Sequence, residues 1–128
     1  MFIKSLALAG VLALALVGSA HAQGIKRTIL QKTDVPGGTH ESVLGIAEVA
    51  AGVAIGLHTH PGTEQGTVLE GELVLSVDGQ PDKTLKVGDS YTIAANAPHD
   101  AKAGAAGAKV VAVYIVEKGK PLASAFKR

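Results

Sequence analysis

After Gln23 no stretch of this chain sustains an apolar period of 3.6 residues, which argues against any helical architecture for that part. Alternation takes its place. Leu73, Leu75 and Val77 share one face of a segment bounded by Gly71 and Asp78-Gly79. Val110–Val116 is a nearly continuous β-branched run, the pattern of a strand covered on both faces or lying at a subunit contact. Further strands are expected at Ile25–Leu30, Val43–Val49, Val53–His60, Gly66–Glu70, Lys83–Val87, Ser90–Ala94 and His99–Lys102. Pro36-Gly37-Gly38, Pro61-Gly62, Gly88-Asp89, Asn96-Ala97-Pro98 and the Ala/Gly stretch Ala103–Ala108 punctuate them. Eight or nine short strands at this spacing predict an all-β sandwich or barrel.

The first 22 residues read differently. Lys4 supplies a positive start, Leu6–Val17 is an uncharged apolar run, and Ala20-His21-Ala22 gives a small-x-small cleavage pattern. The run is about twelve residues, whereas crossing a bilayer needs ~20. Residues 1–22 are therefore expected to be a cleavable signal helix, and 23–128 a single periplasmic or secreted domain with no stable membrane anchor. That domain carries eleven basic and eleven acidic groups with no basic run, which gives no footprint for nucleic acid. With no cysteine in the chain, disulfides, thiolate metal sites and cysteine nucleophiles are excluded together. Stability must come from the core, a metal or a partner subunit.

The histidines carry the chemistry. His58 and His60 stand at i and i+2 in an expected strand, so both project from one face. Pro61-Gly62-Thr63 makes a turn, a hairpin of that length can return Glu64 beside them, and strand closure can bring in His99 from beyond a second turn. Three imidazoles and one carboxylate suit a divalent transition metal with positions left open, and do not suit Ca²⁺ or Mg²⁺. A His-x-His pair by itself is more often two polar residues on a solvated face. Ala54 and Gly56, in phase with the histidines, are both small and are expected to leave space at the wall. His40 is expected to be solvated, Asp100 to face away from His99, and Tyr91 to pack in the core.

The glycine frame around the pair adds a resemblance. Gly52, His58, His60, Glu64 and Gly71 match the first motif of the cupin superfamily at every defined position. Gly88, Ala94, Asn96 and His99 resemble the second, with Ala94 where the pattern has Pro, Asn96 where it has Gly and Ala103 where it has Asn. Asn tolerates positive φ, so Asn96 is expected to make the turn. The resemblance covers about Gly45 to Val116, and the sixteen-residue gap between the motifs is like that of small bacterial single-domain cupins. It implies an RmlC-like conical double-stranded β-helix, a jelly-roll barrel. It also implies one Fe, Mn, Ni, Cu or Zn ion held by His58, His60, Glu64 and His99, and a homodimer sharing a terminal strand, here Ile25–Leu30.

Two function classes follow. One is a mononuclear-metal oxidase or dioxygenase acting on a small carbonyl compound, since the domain has almost no aromatics to stack on a larger substrate. The other is a non-catalytic module that binds a metal or a small-molecule ligand. No additional general base is evident near the four expected ligands, so catalytic residues are not assigned.

Overall fold

The computed structural model describes residues 23–128, among which every regular element is a β-strand. The expected signal helix lies outside the described residues. In chain order the strands are β1 (Ile25–Asp34), β2 (His40–Val49), β3 (His58–Thr59), β4 (Gly62–Val77), β5 (Lys83–Lys86), β6 (Ser90–Ile93), β7 (His99–Glu117) and β8 (Ser124–Ala125). They form one curled eight-stranded sheet in which pairing is antiparallel throughout. This meets the expectation of an all-β barrel.

The spine of the sheet is β7. Its second half pairs with β2 on one edge and with the start of β4 on the other, and its first half pairs with the end of β4. Both edges of the Val110–Val116 run are therefore hydrogen-bonded. Val110, Ala112 and Val116 point into the core, while Val111, Val113 and Ile115 are half-buried on the other face. Val68 and Val116 are the most deeply buried large side chains, and Leu73, Leu75, Leu85 and Ile93 pack into the same interior. Each contributes roughly 1.5–3 kcal/mol by leaving water.

Three stretches depart from the sequence reading. The Ala/Gly stretch 103–108 is strand, part of β7, rather than punctuation. Gly107 is needed there because the strands approach closely: it takes φ +78°, and a Cβ on it would meet the Val49 carbonyl oxygen at 2.9 Å. Gly66–Glu70 and Leu73–Val77 likewise form one strand, β4, with register shifts at Val68/Glu70 and Gly71/Leu73 in place of a turn. At the second shift the extra residues, 104–107, lie on β7, and Gly71 beside them takes φ +72°.

The third departure concerns Val53–His60, which contains only the two residues of β3 and one isolated bridge, Ala54 to Lys102. Gly52 and Gly56 both take positive φ and break the extension, and the Gly56 N–H donates to the Asp100 carboxylate (2.9 Å) instead of to a strand. The parity argument for Ala54 and Gly56 fails with it. The cavity wall there is Ile55.

Candidate metal centre

Different elements deliver the four residues to one place. His58 opens β3, where it pairs with both His99 of β7 and Ala125 of β8. His60 follows β3, and Glu64 lies two residues into β4, in register with Tyr114 and Ile93. The turn before His99 is made as expected: Asn96 takes φ 60°, and its N–H donates to the His60 carbonyl (3.0 Å). One turn thus ties the second motif to the first.

The imidazoles converge, with ring centroids 4.2–5.0 Å apart. One nitrogen from each of His58, His60 and His99 lies within 4.8 Å of the others. His60, Glu64 and His99 are 5%, 6% and 2% exposed, so water does not solvate these polar groups freely. Every ring is held through Nδ1 by a backbone carbonyl: Gly56 for His58 (2.6 Å), Leu122 for His60 (2.7 Å) and Ala97 for His99 (2.9 Å). A carbonyl only accepts, so Nδ1 carries the proton and Nε2 presents a lone pair.

Nε2 of His60 and Nε2 of His99 are buried without a hydrogen-bond partner among the described residues. Glu64 Oε2 stands 3.3 Å from each of them. Two lone pairs facing a carboxylate oxygen repel unless a proton or a cation lies among them. Orphaning such buried atoms costs roughly 1–3 kcal/mol apiece. A divalent ion removes the conflict, and the donor set of neutral imidazole and carboxylate suits a transition metal. The residues present fit the group.

Electrostatics agree. Burial would push the Glu64 carboxyl up, yet the imidazoles of His60 and His99 and the Tyr91 hydroxyl hold it well below the usual carboxylate range. Burial is the main influence on His58, and it lowers its pKa toward a neutral ring. Burial opposes the charge on His99 as well, but Glu64 and the Ala97 carbonyl outweigh it and raise that group. Without a cation, His99 is the proton's place in the cluster.

Sequence reading missed several supports. Tyr91 packs against the core as expected, but its hydroxyl also donates to Glu64 Oε1 (3.0 Å), leaving Oε2 for the histidines. Burial and the Glu64 charge push the Tyr91 and Tyr114 hydroxyls above the usual phenol range, so both remain donors. The Tyr114 ring lies edge-on to His60, centroids 4.9 Å apart. Parity with Val110, Ala112 and Val116 was the available signal for Tyr114. Asp100, beyond His99, braces the loop before His58 through the Gly56 N–H.

A family profile for the cupin domain matches residues 45–116. The chain belongs to the cupin family. Over 40 residues, 31% of its length, this cupin is 55% identical to the HTH-type transcriptional regulator PuuR of Escherichia coli (strain K12), and it spans 21% of that protein. Among solved structures it resembles the DMSP lyase DddQ from Ruegeria pomeroyi DSS-3, with a TM-score of 0.69 and 17% identity over 86% of this chain and 55% of the other. An oxalate oxidase in complex with glycolate superposes with a TM-score of 0.67 and 21% identity, over 83% of this chain and 57% of that one. A cupin superfamily protein from Desulfitobacterium hafniense DCB-2 is matched along 99% of its length and 91% of this chain, with a TM-score of 0.62 and 21% identity. The cupin thus spans little more than half of the lyase or the oxidase. At these identities the structural likenesses establish the fold.

Proposed function

We propose that this cupin holds one divalent transition metal through His58, His60, Glu64 and His99, and acts as an oxidase- or dioxygenase-like enzyme on a small carbonyl compound. The observation that carries the metal assignment is the pair of buried, partnerless Nε2 atoms facing Glu64, with every Nδ1 already tied to a carbonyl. When bound, an Fe, Mn, Ni, Cu or Zn ion would supply Lewis acidity, and a redox-active one would also exchange electrons with O₂.

The chain's own residues do the rest. Tyr91 fixes the rotation of the Glu64 carboxylate, and the three backbone carbonyls fix the rings. Leu73, Leu75 and Ile93 form an apolar wall that limits water beside the imidazoles. The cavity among them is small, about 40 Å³, which favours a small substrate.

The reading places the mature protein in the periplasm or outside the cell, on the strength of Lys4, Leu6–Val17 and Ala20-His21-Ala22. Homodimerisation along β1 is part of it. What supports this is that β1 is an end strand of the sheet, paired among the described residues with β2 alone, and exposes Ile29 and Leu30. Elemental analysis of protein from its native compartment, then O₂ consumption with small carbonyl compounds, tests the activity. Stoichiometric metal with O₂ uptake by the loaded protein and none by the metal-free protein is the expected result. Metal with no turnover across the panel would leave the non-catalytic binding module.

A further inference from the structure

One charge in the cavity is not used by the metal assignment. Arg27 stands on β1 opposite Ala47, which in turn pairs with Val110 of β7. The same inward row begins with Ile25 and Val49, both buried, so alternation turns the Arg27 side chain toward the interior. It lines the cavity that contains the three histidines and Glu64, and among the described residues no Lys or other Arg does. Its residue is otherwise exposed, which puts it at the mouth. The wall beside it is made of short side chains, Ala47 and Ala112. Its charge reaches the Tyr114 hydroxyl, where it opposes the effect of burial and of Glu64.

Arg27 has no ion-pair partner among the described residues, and residues 1–22 contain no Asp or Glu. A divalent ion with neutral imidazoles and the single Glu64 carboxylate leaves one positive charge in the cavity, and Arg27 adds a second. That balance selects an anion over a neutral carbonyl compound. A planar guanidinium matches a carboxylate in a two-point contact.

We propose that Arg27 is the anion anchor of this site and that its ligand is a short carboxylate bearing a second oxygen function, such as a 2-oxo or 2-hydroxy acid. The proposal rests on the metal centre proposed above, which provides the other anchoring point. It narrows the substrate class from carbonyl compounds in general to acids small enough for the cavity.

The test is calorimetric titration of pyruvate, and of its uncharged amide, into Co²⁺-loaded wild type, Arg27→Gln and Arg27→Lys. Co²⁺ uptake is followed separately by visible absorption. Wild type should bind pyruvate about tenfold or more tightly than the amide, the scale of a charge-assisted hydrogen bond. Arg27→Gln should abolish that preference while Co²⁺ affinity stays unchanged, and Arg27→Lys should restore part of it. Added salt should weaken pyruvate binding and leave the amide unaffected. Equal binding of acid and amide by wild type overturns the proposal without recourse to any variant. So does wild-type affinity for pyruvate in Arg27→Gln, or no binding of pyruvate, glycolate or oxalate at all. If wild type takes up no Co²⁺, the metal reading fails on its own; Arg27-dependent binding of pyruvate by the metal-free protein would then uphold the anchor, and its absence would overturn that too.

Discussion

The two histidine-bearing segments reach the same site under different rules. From Gly52 to Gly71 the motif residues are all in place, and the closing glycine is sterically compulsory: a Cβ on Gly71 would sit 1.9 Å from the Gly107 oxygen, at a φ of +72°. From Gly88 to His99 two motif residues are replaced, yet Asn96 holds φ 60° and binds the His60 carbonyl. The first segment runs between packed strands, so its glycine answers to its neighbours. The second turns at the rim, where only the backbone angle is prescribed and Asn can adopt it.

Gly71→Ala should show the contrast most strongly. Left-handed strain and the collision with Gly107 together predict a loss of about 3 kcal/mol or more, read as a large fall in Tm or as failure to fold. Next in size is His99→Ala, which takes away the proposed ligand of the second segment. Co²⁺ affinity should drop by more than ~100-fold, beyond the range for outer-shell changes, with the fold retained. His60→Ala should match it, and wild-type affinity in either variant would break the equivalence of the two segments.

Tyr91→Phe removes only the group that orients Glu64, so a loss of about tenfold is expected with little change in Tm. Its pH response sharpens the point. In the metal-free protein the His99–Glu64 pair stabilises the fold within a window. The raised pKa of His99 makes its contribution full below the ordinary value of 6.5 and removes it as pH rises through the folded value. The lowered pKa of Glu64 makes its contribution present above the ordinary 4.5 and removes it as pH falls. Tm of metal-free protein should therefore fall on the alkaline side of this window, and His99→Gln should flatten that slope. Metal must displace the His99 proton, so its affinity should instead rise with pH. The smallest effect belongs to Asn96→Gly, within ~1 kcal/mol, because the backbone angle is already met.

The convergence of His58, His60, Glu64 and His99 was legible because strand parity and the glycine frame both bear on it. Asn96 was legible for a similar reason, since its tolerance of positive φ is a property of the residue. The Ala103–Ala108 strand was not, because Ala and Gly have low β propensity, and here only Ala103 and Ala108 at its two ends pair with β4. Nor was the Leu122 carbonyl that holds His60, since a main-chain oxygen leaves no mark in side-chain pattern. Tyr91 was read for its ring alone; its hydroxyl matters through a distance that no local spacing encodes.

The hydrogen bond from His60 to Leu122 has a consequence beyond the ring it holds. The segment from Gly119 to Ala125 is fastened by that bond, by the β8–β3 pairing and by the Phe126 N–H on the Leu57 carbonyl. Coupling of this kind is reciprocal. An imidazole whose Nε2 engages a cation becomes a stronger donor at Nδ1, so occupancy of the centre tightens the carboxy-terminal strap by as much as the strap tightens the centre. Amide hydrogen exchange along that strap would then report whether the buried centre is occupied.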